Sequence, residues 1–134
     1  MNPRTYRQQI YNSGIEDMEI NISSLENSMQ TLHKLNELEN LLTKIRYNLR
    51  VDIRKLRMEY IKKMQDIDEL ALKKGLFRKK MSVEKMYHKK KSVKQERKVN
   101  LAAYEIIETM IENYLTQIDD SRNYIQDQIQ GKVH

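Results

Sequence analysis

Apolar residues recur at steps of three and four over two long stretches of this chain, and only a helix brings residues so spaced onto one face. The first stripe runs Ile15, Met18, Ile22, Leu25, Met29, Leu32, Leu35, Leu38, Leu42, Ile45, Leu49, Ile53, Leu56, Tyr60, Met64, Ile67, Leu70. The second runs Val83, Met86, Val93, Leu101, Tyr104, Ile107, Ile111, Leu115, Ile118, Ile125, Ile129, with Lys90 and Arg97 at stripe positions near its start. A strand would alternate with period two, and neither stretch does. With 3 Gly and 1 Pro in 134 residues the chain has little to break an element, so few and long helices are expected.

Local signals set the boundaries. Ser13-Gly14-Ile15-Glu16 has the form of a capping box, which starts helix 1 at 15. Lys73-Lys74-Gly75 places cations in a last turn and Gly at a left-handed exit, which ends it at 74. At ~1.5 Å per residue such a helix would be about 90 Å long. A basic turn over 75–81 follows, then helix 2 over 82–130 from Ser82, with Glu84 in its first turn. Gly131 reads as its stop, leaving a tail over 131–134. In the segment 1–14, Asn2-Pro3 reads as an N-cap and first-turn proline. Tyr6, Ile10 and Tyr11 would line the inner face of a short helix ending near Asn12. A disordered segment is the alternative there.

The fold class expected is all-α, a long antiparallel two-helix hairpin resembling a coiled coil, in a single domain over 1–134. Facing residues of an antiparallel pair have numbers that add to a constant. Ile53 with Tyr104, Leu56 with Leu101, Leu42 with Leu115 and Leu32 with Ile125 all add to 157. The same register places Asp66 opposite Lys91, Asp68 opposite Lys89 and Glu59 opposite Lys98, and brings Glu108 and Glu112 near Arg46 and Arg50. Such pairs fix direction and register. The alternative is two helices that pair only with other chains.

No catalytic signature is present. The sequence lacks a phosphate-cradling Gly-rich loop, a Glu-x-x-His pair and a His-Glu-x-x-His motif, and His33, His88 and His134 are isolated. The clusters Glu105, Glu108, Glu112 and Asp66, Asp68, Glu69 read more simply as ion-pair partners than as a magnesium site. No enzyme, cofactor, metal or small-molecule substrate is therefore expected. The absence of Cys fits a reducing compartment, no run of 18 apolar residues crosses a membrane, and Met1–Gly14 has no signal-peptide core. A cytoplasmic protein is expected.

Charge is the feature that suggests a partner. The formal charge of +6 divides into +13 between Lys44 and Lys98 and −7 elsewhere. The candidate polyanion-binding tip comprises Lys73, Lys74, Arg78, Lys79, Lys80, Lys85, Lys89, Lys90, Lys91, Lys94 and Lys98, with Phe77 and Tyr87 among them. A concentrated positive field attracts acidic protein surfaces or phosphate backbones, and the two aromatics suit stacking on unpaired bases. The function expected is a non-catalytic interaction or scaffold module whose basic tip contacts an acidic partner. Nucleic-acid binding through the same tip is the alternative. A solvated lysine face with no partner is the plain structural reading.

A second apolar set lies off both stripes: Tyr47, Val51, Met58 and Ile61 on helix 1, and Val99, Ala103, Ile106 and Met110 on helix 2. Two such clusters suggest an oligomer face, with a homodimer favoured.

Overall fold

The computed structural model describes residues 1–76 and 83–133, with side chains over 1–70 and 83–131. Its elements in order are α1 (Pro3–Asn12), a 3₁₀ turn (Ile15–Asp17), α2 (Leu25–Leu76) and α3 (Val83–Val133), with no strand among the described residues. The chain is an all-α hairpin in which α2 and α3 run antiparallel and pack closely. Contacts divide it into two compact units, Met1–Arg50 with Ile106–His134, and Val51–Glu105.

The first unit holds most of the core. Asn2 caps α1, its Oδ1 accepting from Thr5 N at 2.8 Å, with Pro3 in the first turn. Tyr6 and Ile10 are buried, and Gln9, Asn12 and Ser13 share a shallow depression with Leu41, Lys44, Ile45 and Asn48 of α2. The short helix is therefore packed, not disordered. Tyr11 stands about 100° round the helix from Ile10 and is exposed, so it is not part of the inner face.

Helix 1 does not begin at Ser13. Gly14 takes the left-handed conformation at φ 78°, and the N–H groups of Ser13 and Gly14 close the last turn of α1 on Gln9 and Tyr11 carbonyls. Ser13-Gly14 is thus a helix stop, of the kind a residue without Cβ favours. Met18 is extended, and Asn21 Oδ1 accepts from Ser23 N at 3.1 Å, so local side-chain bonds compete with helix here. The N-cap of α2 is Ser24, whose Oγ accepts from Asn27 N at 3.0 Å.

The start of α2 buries Ser28 and Thr31 in place of stripe residues Leu25 and Met29, which are exposed. Both hydroxyls can be buried because each donates to the carbonyl four residues back, Ser28 to Ser24 at 2.8 Å and Thr31 to Asn27 at 2.9 Å. Thr31 also lies 3.1 Å from the Asn21 carbonyl, and Tyr114 Oη donates to Glu16 at 3.2 Å. Those contacts hold the irregular segment against the unit.

Farther along α2 the stripe is buried as expected. Within this unit, Leu35 and Ile125, Leu42 and Ile118, and Leu49 and Ile111 are all buried, and each pair adds to 160. Arg50 bonds Glu108 at 3.1 Å and Glu112 at 3.2 Å, and Arg122 pairs with Glu39. In the second unit Asn100 Nδ2 donates to Tyr60 Oη at 2.6 Å, again a pair adding to 160. Lys63 meets Glu96 at 3.3 Å, and Lys90 meets Asp68 at 2.5 Å. The register of 157 is therefore corrected by about one stripe step. A shift of three superposes the same two apolar stripes, so hydrophobic matching separates the two registers weakly. The Tyr60–Asn100 bond favours the second, while the expected approach of Glu108 and Glu112 to Arg50 is found and fits both. Of the other expected pairs, Asp68 takes Lys90, not Lys89, and no ion pair joins Glu59 to Lys98 or Asp66 to Lys91 among the described residues.

α3 continues as helix through Gly131 to Val133, so that glycine does not stop it. A Cβ there would meet nothing within 4 Å. Gly75 likewise lies within α2, and the turn expected over 75–81 falls largely on 77–82, outside the described residues. No described helix is long and apolar enough to cross a membrane.

Candidate polyanion-binding face

The second unit, Val51–Glu105, carries the basic segment of α3. Of the expected tip, Lys73, Lys74, Phe77, Arg78, Lys79 and Lys80 lie outside the residues with described side chains. The others are on α3, and helix geometry sorts them. Tyr87, Lys91, Lys94 and Lys98 follow one another at steps of four, three and four, which places them on one face, and all four are exposed. Lys91 Nζ lies 6.0 Å from the Tyr87 ring centroid, and His88 meets the same ring edge-on at 5.7 Å. An ammonium over a phenol ring draws on the ring's negative face and orients the aromatic in the cationic stripe.

Lys90 points elsewhere. Its ion pair with Asp68 makes it a link between α2 and α3 and removes it from the binding set. Lys89 is half-buried and Lys85 exposed. Two acids of this unit are held by other cations, Glu96 by Lys63 and Glu105 by Arg57 at 3.4 Å. Lys63 also lies 5.0 Å from the Tyr60 ring centroid. Lys91, Lys94, Lys98 and Arg97 form no ion pair among the described residues. A row of cations at one-turn spacing that forms no ion pair of its own keeps its field for a partner.

Tyr104 faces the acidic side of the same unit. Burial pushes its phenol up from the ordinary tyrosine value, and the carboxylates of Asp52 and Glu59 add to that by disfavouring a phenolate. In the first unit Tyr114 is raised too, by burial and then by its bond to Glu16.

The carboxylate ladder of α3 is paired with arginines, Glu105 with Arg57 and Glu108 and Glu112 with Arg50, so those oxygens have partners other than a metal. Among the described residues no group of three or more His, Asp or Glu could hold a metal ion. His33 lies 3.1 Å from Glu37 and His88 3.9 Å from Glu84, each a neighbour one turn along its own helix.

The second apolar set is at the surface. In the second unit Met58 is 61% exposed, Ile61 47% and Val99 61%, with Val51 and Ala103 half-buried. In the first, Tyr47 and Ile106 are exposed and Met110 is half-buried. The sequence reading missed the border of the α2 set, where Arg54, Lys55 and Lys62 join Val51, Met58 and Ile61 around one open groove. Their positions three, four and eleven residues after Val51 were the available signal.

Comparison with known proteins gives no match: no family model, no curated protein and no solved structure is significantly similar to this chain.

Proposed function

We propose that this chain is a non-catalytic helical-hairpin interaction module that presents the lysine stripe of α3 to an acidic protein partner. The observation that carries this reading is the row Lys91, Lys94, Lys98 beside exposed Tyr87, without ion pairs among the described residues, while Lys90 is turned to Asp68. The chain has no Cys, which suits a reducing compartment such as the cytoplasm, and we place it there.

Nucleic acid is the second reading, favoured by the single observation that Tyr87 is an exposed aromatic flanked by a lysine. The two are separated by titrating the full chain, at ~150 mM salt where the screening length is about 8 Å, with a labelled 20-residue polyglutamate and with single- and double-stranded oligonucleotides. Tighter binding of polyglutamate supports an acidic protein partner. Tighter binding of oligonucleotide, steepened by rising single-strand character, overturns it in favour of nucleic acid. Binding of neither overturns both.

Self-association is a further proposal, resting on exposed Val99 in one unit and on exposed Tyr47 and Ile106 in the other. Sedimentation at tens of micromolar tests it: a dimer that Val99→Glu with Ile106→Glu dissociates supports it, and a wild-type monomer overturns it.

A further inference from the structure

Helix α2 is apolar on two sides within the second unit. Ile53 and Tyr60 are buried. Val51 and Met58 each stand two residues before one of them, about 200° round the helix, and with Ile61 they floor an open groove. Val51, Arg54, Met58, Ile61 and Gln65 follow at steps of three, four, three and four, the spacing of a coiled-coil seam. A helix with one buried stripe needs only one partner, and a second seam on the opposite side has the form of a place for another helix.

The border of the groove says what kind. Lys55 and Lys62 flank the seam and Arg54 lies within it; all three are exposed and form no ion pair among the described residues, and Glu59 is the one acid lining the groove. A second copy of this chain laid on its own seam would bring Lys55 and Lys62 against cations, and like charges at flanking positions reject a partner. A polynucleotide has no apolar stripe to cover Met58 and Ile61. A helix with apolar residues at three- and four-residue steps and Glu or Asp beside them satisfies both the floor and the border.

We infer that the outward face of α2 from Val51 to Gln65 is a docking seam for an acidic amphipathic helix of another protein. The seam is separate from the lysine stripe of α3 and does not depend on that reading.

The probe is a labelled 21-residue helix with Leu at seam positions and Glu at the flanks, titrated by fluorescence anisotropy against the full chain. Its counterpart has Lys in place of Glu. Expected is saturable binding of the acidic helix, at least tenfold weaker binding of the basic one, and at least tenfold loss with Met58→Glu/Ile61→Glu. Both residues are exposed, so helicity by circular dichroism should be kept. Lys55→Glu/Lys62→Glu should reverse the preference between the two probes, a result that misfolding cannot produce. Lys91→Gln/Lys94→Gln/Lys98→Gln should leave probe binding within about twofold, so failure here and failure of the α3 reading are told apart. Equal binding of both helices, or indifference to Met58→Glu/Ile61→Glu, overturns the proposal. So does a wild-type dimer that Met58→Glu/Ile61→Glu dissociates, which assigns the seam to a second copy. Binding to vesicles containing phosphatidylserine, with no binding of the acidic helix, overturns it in favour of a membrane surface.

Discussion

Replacing Leu49 with Ala removes a fully buried side chain from the seam between α2 and α3 in the first unit, where Ile111 is fully buried as well. Three buried carbons at ~0.8 kcal/mol each give about 2.4 kcal/mol of lost transfer energy. A residual cavity adds to this, but two helices can close up more readily than a globular core. A total of about 2.5–3.5 kcal/mol is expected, in the lower half of the range for buried Leu→Ala changes. Urea unfolding followed at 222 nm reads the change directly. With a slope of about 2 kcal/mol/M the midpoint should fall by roughly 1–2 M. Met58→Ala, at a side chain 61% exposed on the outward face of the same helix, should shift stability by no more than about 0.5 kcal/mol. The comparison has a clear refutation. If Met58→Ala costs as much as Leu49→Ala, the assignment of inner and outer faces of α2 is wrong.

Three further outcomes follow from particular contacts. Cysteines at Leu42 and Ile118, both buried and level in the first unit, should be joined within one chain by a short bifunctional reagent, and purely interchain products would contradict the hairpin. Ser24→Ala should cost about 0.5–2 kcal/mol through loss of the α2 cap, whereas equal destabilisation by Ser23→Ala would move the cap. Tyr104 ionises above the ordinary tyrosine value in the folded chain, so an unfolded chain releases that proton first. Its contribution to stability is therefore present below about pH 10 and is lost as pH rises through the folded value; a Tyr104→Phe variant with an unchanged alkaline stability profile would contradict this.

Much of the hairpin was legible because its cause is periodic. Leu35, Leu42, Leu49, Ile53, Ile111, Ile118 and Ile125 recur at helical steps, and all are buried. What failed is what periodicity does not encode. Ser13-Gly14 fits a helix start by composition, but the left-handed Gly14 makes it an end. Ser28 and Thr31 are core residues that hydrophobicity cannot reveal, since their burial depends on hydroxyls bonded to the backbone of their own helix. The register slipped by about one stripe step because two apolar seams match about equally well three residues apart; the expected approach of Glu108 and Glu112 to Arg50 holds in either, and it is the Tyr60–Asn100 bond, a pair adding to 160, that shows the difference. At the candidate site the concentration of lysines was visible from the start. The shared face of Tyr87, Lys91, Lys94 and Lys98 lay in their spacing, whereas the turn of Lys90 to Asp68 required the neighbouring helix.

The most direct test of the binding face holds net charge fixed and moves the place where it is removed. Lys91→Gln/Lys94→Gln/Lys98→Gln and the control Arg7→Gln/Lys34→Gln/Lys44→Gln each lower the formal charge from +6 by three, to +3, at exposed positions. Binding of labelled polyglutamate is then measured at ~150 mM salt, where distant exposed charges are largely screened. With three surface contacts of ~0.5 kcal/mol or more each, the α3 variant should bind about tenfold more weakly than the wild type, and the control within about twofold of it. Equal losses in the two variants would show that net charge alone attracts the probe and that the lysine stripe of α3 is an ordinary solvated face.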